Sequence, residues 1–236
     1  KDWFIRYPAG SDRKIRSVAW NSDGTCLASS NRGVEFWDGT RWNPVKVAGD
    51  MASDRVHAIE LLAPGRWLMA DDNGRFGEYT PSGGVRNIVA LTNRPQIVQH
   101  ASGDPADLLV MVAQASAGRP WLYAMAARRA VLPIPLDGVA TIGSLVRLAD
   151  SRWLIAGRSV HGLAYAAIYD PLMFQVHPLD APRTAAFLTA AANHGQLPAL
   201  MAGTDGIVAW FQDNAMSYEK IPVDGAVSAV APMRWP

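Results

Sequence analysis

"SVAWNSDGTCLASSNRGVEFWDG", Ser17–Gly39, turns back on itself twice within one short stretch. An apolar run ends in Asn-Ser-Asp-Gly, a small-residue run ends in Asn-Arg-Gly, and a strand-like segment closes on Trp-Asp. Asn, Asp and Gly accept the left-handed conformations that tight turns require, while Val, Phe and Trp suit a pleated, half-buried surface. The stretch reads as three consecutive antiparallel strands, a, b and c.

The same order of features returns four times. Segments related to "VEFWDG" are "GRFGEYTPSGG" (74–84), "GRPWLYAMA" (118–126), "GLAYAAIYDP" (162–171) and "GIVAWFQDN" (206–214). Aligned on Trp37, Tyr79, Tyr123, Tyr169 and Trp210, they repeat at intervals of 42, 44, 46 and 41 residues. Before each stands a small-residue strand b ("CLASS", "WLMADD", "LLVMVAQ", "WLIAGRS", "ALMAGTD"), and before that an apolar strand a. After each stands a strand d, such as "WNPVKV" or "SYEKIPV". A period in the low forties with four strands per unit is the repeat of propeller blades. "RTAAFLTAAANHG" (183–195) is rich in helix formers, yet it falls in register with the strand-a segments, and the repeat outweighs propensity.

The expected fold is all-β, one propeller over 1–236. Its blades span 15–48, 56–91, 95–136, 141–180 and 185–223. "DWFIRYP" (2–8) reads as a strand d and "AVSAVAPMRW" (226–235) as a strand a, together part of a sixth, closing blade shared by the two chain ends. Closure of this kind removes exposed strand edges. With Lys1 in first place and half the closing blade missing, the expectation is a two-stranded sixth blade, a truncated piece of a larger protein, or missing strands supplied by another chain or a larger ring.

Ile15–Asp38, with "SVAWNSDG", "LASS" and "VEFWDG", resembles a WD40 repeat. Trp-Asp occurs only at Trp37-Asp38, and no unit carries that family's Gly-His pair. "WDGTRWNPV" and "DDNGRFGEYTPSGG" are similar to the divergent propellers appended to bacterial signalling proteins, serine/threonine kinases among them. The resemblance implies a recognition or scaffold module within a larger bacterial signalling or regulatory protein.

Composition narrows the function classes. Twenty-two basic and 21 acidic groups leave a net charge of +1, which gives no general attraction to nucleic acid or to anionic membranes. Apolar runs are broken well short of the roughly 18 residues a membrane span needs. The single cysteine, Cys26, excludes an internal disulfide and a cysteine-based zinc site, and leans towards a reducing, cytoplasmic setting.

Sites for chemistry are sparse. His57 and His100 fall in strand a, where propeller enzymes place reactive groups, but no acid recurs beside them and no third metal ligand can be named. "DDNG" (71–74) has the oxygens calcium favours, but it stands where a tight b–c turn is needed. Nucleotide-binding and serine-hydrolase motifs are absent. We expect no catalytic residue, no metal and no cofactor. Of nine tryptophans, Trp20, Trp37, Trp67, Trp153 and Trp210 occupy strand positions that pack between blades, and Trp37 is expected in the core.

Arginine recurs in the loops at similar distances before strand a. The d–a connections carry Arg13, Arg55, Arg94 and Arg183, and the b–c connections carry Arg32, Arg119 and Arg158. Guanidinium groups grip carboxylates and phosphates bidentately. The same loops also hold Asp12, Asp54, Asp71, Asp72, Asp137, Asp205 and Asp224, with which they could pair locally. The expected function is non-enzymatic recognition of a protein, a peptide or a small anionic ligand. The alternatives are a propeller hydrolase or lyase, which would draw on His57, His100, Glu60 and Asp224, and a carbohydrate-binding propeller, which would need exposed aromatics at equivalent places on several blades.

Overall fold

The computed structural model describes residues 14–47, 51–90, 97–104, 107–114, 118–126, 129–183, 188–192 and 199–222. The segments read as the closing blade (2–8 and 226–235), together with Arg13 and Arg94, lie outside the described residues. The described chain forms five four-stranded antiparallel sheets in the β-propeller class, each running a-b-c-d in chain order. Sheet 1 comprises β1 (Ile15–Trp20), β2 (Cys26–Ser30), β3 (Gly33–Trp37) and β4 (Trp42–Pro44). Sheet 2 comprises β5 (Val56–Ala63), β6 (Arg66–Asp71), β7 (Arg75–Thr80) and β8 (Gly84–Ala90). Sheet 3 comprises β9 (Ile97–Gly103), β10 (Leu108–Gln114), β11 (Pro120–Ala126) and β12 (Arg129–Pro135). Sheet 4 comprises β13 (Val139–Arg147), β14 (Trp153–Ser159), β15 (Ala164–Asp170) and β16 (Gln175–Pro178). Sheet 5 comprises β17 (Leu188–Ala192), β18 (Ala199–Gly203), β19 (Ile207–Gln212) and β20 (Ala215–Lys220). The alanine-rich Leu188–Ala192 is a strand, as the repeat requires.

The chain divides into two compact units, Lys1–Val89 with sheets 1 and 2, and Ala90–Pro236 with sheets 3, 4 and 5. In the first, Leu27, Phe36, Ile59, Trp67, Met69 and Tyr79 share one core between the two sheets. In the second, sheet 4 is covered on both faces. Trp153 and Ile155 of β14 join Val112 and Leu122 of sheet 3, while Leu154 and Ala156 join Leu188 and Met201 of sheet 5. Burial on both faces explains why strand b reads as an unbroken apolar run rather than an alternating one.

Strand a carries the same irregularity in every sheet. Ile15, Val56, Val98, Ile142 and Leu188 each pair with one of the last three residues of strand b, and the next paired residue lies two positions on, opposite the adjacent strand-b residue. One residue is therefore extra at this point of each strand a, Arg16, His57, Gln99, Gly143 and Thr189, and β13 and β5 carry a second irregularity at Ala140 and Leu62. A bulge of this kind bends the strand and re-aims a side chain. The repeat predicts Val18, Ile59, Val98, Leu145 and Leu188 at equivalent core positions of strand a, and the bulge corrects that expectation. Val18, Ile59 and Leu145 do share a rung, opposite Ala28, Met69 and Ile155, but Val98 and Leu188 sit at the bulge rung instead. Likewise, the strand-c residues equivalent to Trp37, Tyr79 and Tyr169 are Met125 and Phe211, not Tyr123 and Trp210. Loop lengths differ among the units, which displaces the strand-c aromatics by one or two residues from sheet to sheet.

Candidate functional site

In each sheet the d–a and b–c connections emerge at the end where strand a begins. In the first unit this end gathers a polar cluster around the bulges of β1 and β5. Arg16 donates to the Asp54 carbonyl oxygen in the 3-10 turn Ser53–Arg55. Arg55 stands 4.0 Å from Asp72, whose backbone N–H donates to the Arg55 carbonyl at 3.0 Å. His57 is half-buried in the same region, and burial first, then the Arg16 charge, lowers its pKa. Asp71 and Asp72 act on it in the opposite sense. Arg16 is absent from the sequence-derived set. It could have been found by aligning Ile15 with Val56, which places Arg16 and His57 on the same bulge.

The turn chemistry of "DDNG" is plain. The fully buried Asp71 accepts from the backbone N–H of Asn73 at 2.9 Å and of Arg75 at 2.8 Å, closing the b–c turn. Among the described residues no group of three His, Cys, Asp or Glu side chains is placed to hold a metal ion. Asp38 of the Trp-Asp pair also serves a turn. The Thr40 hydroxyl, then the Arg41 and Thr40 N–H groups and the Asn43 amide, hold its carboxyl well below the usual range.

The loop arginines differ in how they are engaged. Arg32 is exposed in the β2–β3 turn, where its backbone N–H donates to the Ser30 hydroxyl at 3.1 Å. Arg158, at the end of β14, folds back to donate to the Gly162 carbonyl at 3.0 Å. Arg119 is exposed directly before β11. Arg183 is exposed in the connection after β16, on the rim of an open depression of about 180 Å³. Among the described residues, Arg119, Arg158 and Arg183 form no ion pair with a carboxylate, whereas Arg55 faces Asp72.

Other titratable groups are held by burial. His100 follows the bulge in β9; burial lowers its pKa, and its Nε2 lies 3.4 Å from the Ile142 carbonyl oxygen. Burial pushes the Cys26 thiol up to about 12, so it is protonated at neutral pH. Glu60, in the middle of β5, keeps slight access to solvent, yet burial pushes its carboxyl up to about 8. The sign of its effect follows. Folded Glu60 holds its proton above the ordinary value of 4.5, so its contribution to stability declines as pH rises from about 4.5 to about 8. Glu60→Gln is therefore expected to raise the melting temperature at pH 9 and to leave it nearly unchanged at pH 4. Equal shifts at both pH values would show that Glu60 ionises normally in the folded protein.

The tryptophans divide by burial. Trp67 and Trp153 are fully buried, whereas Trp20 and Trp121 are 39% and 40% exposed. Trp37 is not a core residue; it is half-buried and rests against Trp42, with ring centroids 5.5 Å apart. The two exposed rings occupy unrelated places, strand a of sheet 1 and strand c of sheet 3.

No protein-family model matches the sequence, and comparison with curated proteins finds no match. Solved structures do resemble it. Virginiamycin B lyase from Staphylococcus aureus superposes with a TM-score of 0.70 at 13% identity, over 92% of this chain and 74% of that one. YCF48 bound to D1 peptide gives 0.65 at 16% identity, over 92% and 70%. The extracellular domain of the hybrid two-component system BT4673 from B. thetaiotaomicron gives 0.65 at 15% identity. That match covers 91% of this chain but only 28% of the longer one. At such identities the likeness is one of fold, and these neighbours are propeller-type proteins.

Proposed function

We propose that this propeller is a non-enzymatic recognition module whose loop arginines take hold of carboxylate or phosphate groups on a protein, a peptide or a small anion. One observation carries the reading. Arg119, Arg158 and Arg183 are exposed loop residues with no carboxylate partner among the described residues, although aspartates are common in the same loops. A guanidinium group presents five N–H donors in a planar fork, and Arg158 commits only one of its nitrogens, to Gly162. The neighbours lend general support, since YCF48 was solved with a bound peptide and the BT4673 domain belongs to a two-component system. Membership of a larger bacterial signalling protein is part of the same proposal. The lyase among the neighbours is the ground for an enzymatic second reading. Its candidate groups are His57 and Glu60.

Calorimetric titration with inorganic phosphate and with an aspartate-rich peptide tests the proposal. Binding should weaken steeply as salt rises beyond about 0.1 M, where the screening length is near 10 Å. Arg119→Glu together with Arg158→Glu should weaken it at least about tenfold, roughly 1.4 kcal/mol. Binding unchanged by that double charge reversal would refute the assignment.

A further inference from the structure

The turn between β15 and β16 breaks two rules of solvent-exposed turns at once. Leu172, Met173 and Phe174 are 90%, 67% and 52% exposed, three consecutive large apolar side chains at a hairpin tip. Runs of this kind on a surface are avoided unless they do something. Phe174 also sits at φ +52°, a left-handed conformation where Gly or Asn is the usual choice and an aromatic residue is strained. The tip is nevertheless firmly built: Asp170 accepts from the backbone N–H of Leu172 at 2.8 Å and of Met173 at 3.3 Å.

The opposite end of the same sheet holds the complementary shape. Leu163, Tyr165, Pro178, Leu179 and Pro182 line the open depression of about 180 Å³, with Arg183 on its rim. At roughly 30 Å³ per water molecule, that volume equals about six waters. It is too small for the 300–1,000 Å³ typical of ligand pockets, and it suits one or two apolar side chains. The depression carries one charge of each sign, Asp180 and Arg183, and only Arg183 can receive the carboxylate at the tip. Asp170 stands at the base of the tip, and Arg183 stands exposed beside the depression without a carboxylate partner among the described residues. Tip and depression lie at the two ends of β15, about 25 Å apart at roughly 3.4 Å per residue, so one molecule cannot fill its own depression.

We infer that the occupant of this depression is the Leu172–Phe174 tip of a second copy of the chain, seated head to tail. Such a contact joins two different surfaces, so it leaves one tip and one depression free at the ends and extends into chains of molecules. The inference shares Arg183 with the anion reading but does not depend on Arg119 or Arg158, the two residues whose charge reversal tests that reading.

Sedimentation velocity at rising concentration, up to roughly millimolar protein, supplies the test. The unaltered chain should pass from monomer through dimer to longer species. A tip variant, Leu172→Asp with Phe174→Gly, removes the apolar run and relieves the left-handed strain, so it should fold and remain monomeric. A depression variant, Leu163→Asp, changes a side chain that is 39% exposed and should also remain monomeric. Mixed together, the two variants should form a one-to-one dimer that grows no further, because each retains one half of the contact. Unaltered protein that stays monomeric overturns the inference. So does a mixture that yields no dimer, or self-association that survives in either variant alone, which in the depression variant would mean tip-to-tip contact. Binding of monomeric protein to neutral phosphatidylcholine vesicles, lost in the tip variant, would assign the tip to a membrane and equally overturn it.

Discussion

Trp67→Ala is expected to cost about 4 kcal/mol or more, enough to unfold the first unit under mild conditions. Trp67 has no exposed surface, and its ring contacts Phe36 edge-on at 5.6 Å and Tyr79 at 6.1 Å. Truncating a buried tryptophan typically costs roughly 3–5 kcal/mol through lost burial and the cavity left behind. A further term comes from the indole N–H, which donates to the Ala19 carbonyl at 3.1 Å. Stranding that acceptor adds about 1–3 kcal/mol, less whatever water can restore. Trp37→Ala makes the contrast. Trp37 is half-buried against one neighbour, Trp42, so roughly 1–2 kcal/mol is expected from its partial burial. Urea denaturation followed by far-ultraviolet circular dichroism measures both. A Trp67→Ala cost below about 1 kcal/mol, or a Trp37→Ala cost equal to it, would contradict the packing described for sheets 1 and 2.

Gly103→Ala should be the most damaging of the small substitutions, at roughly 2–5 kcal/mol. Gly103 ends β9 at φ +111°, a conformation that L-residues with a side chain rarely adopt. A methyl group there would lie 2.2 Å from the Leu108 carbonyl oxygen and 3.3 Å from the Leu109 Cα, both backbone atoms that cannot rotate aside. Left-handed strain contributes about 1–2 kcal/mol, and forced displacement of a packed strand about 1–3 kcal/mol. Gly65→Ala is the control. Its φ is +70°, but nothing lies within 4 Å of the added carbon, so only the strain remains. If both variants lose equal stability on denaturation, the close approach of Leu108 to Gly103 is not real.

How much of this was legible beforehand depends on the kind of signal. Turn residues such as Asn-Ser-Asp-Gly and Asp-Asn-Gly act on backbone within a few residues of themselves. They marked the b–c turns, where the side chain of Asp71 closes the turn through Asn73 and Arg75. The apolar strands b were readable for the same local reason, whereas Leu188–Ala192 was readable only through the repeat, its helical composition yielding to pairing with β18. The bulges were not readable. A bulge is a property of two paired strands and leaves no mark in either alone, so neither the place of Arg16 nor the two-rung offset of Val98 from Val18 could be read from one strand.

The candidate site divides along the same line. The loop positions of Arg32, Arg55, Arg119, Arg158 and Arg183 follow from the order of strands and turns, which is written residue by residue along the chain. Their engagement does not. Asp54 neighbours Arg55 in sequence, yet Arg55 faces Asp72 across the b–c turn, and Asp54 uses its backbone carbonyl to receive Arg16. Ion pairing depends on where two side chains end in space, and that is set by loops folding against one another. Burial divides the tryptophans on the same ground. Trp37 and Trp67 look alike as strand tryptophans, but Trp67 is enclosed by the neighbouring sheet while Trp37 rests on its own sheet's last strand. The repeat, the turns and the five-sheet architecture were local information. Which arginine is spoken for, which tryptophan is core and which strand residue is bulged were decided by contacts between elements far apart in the chain.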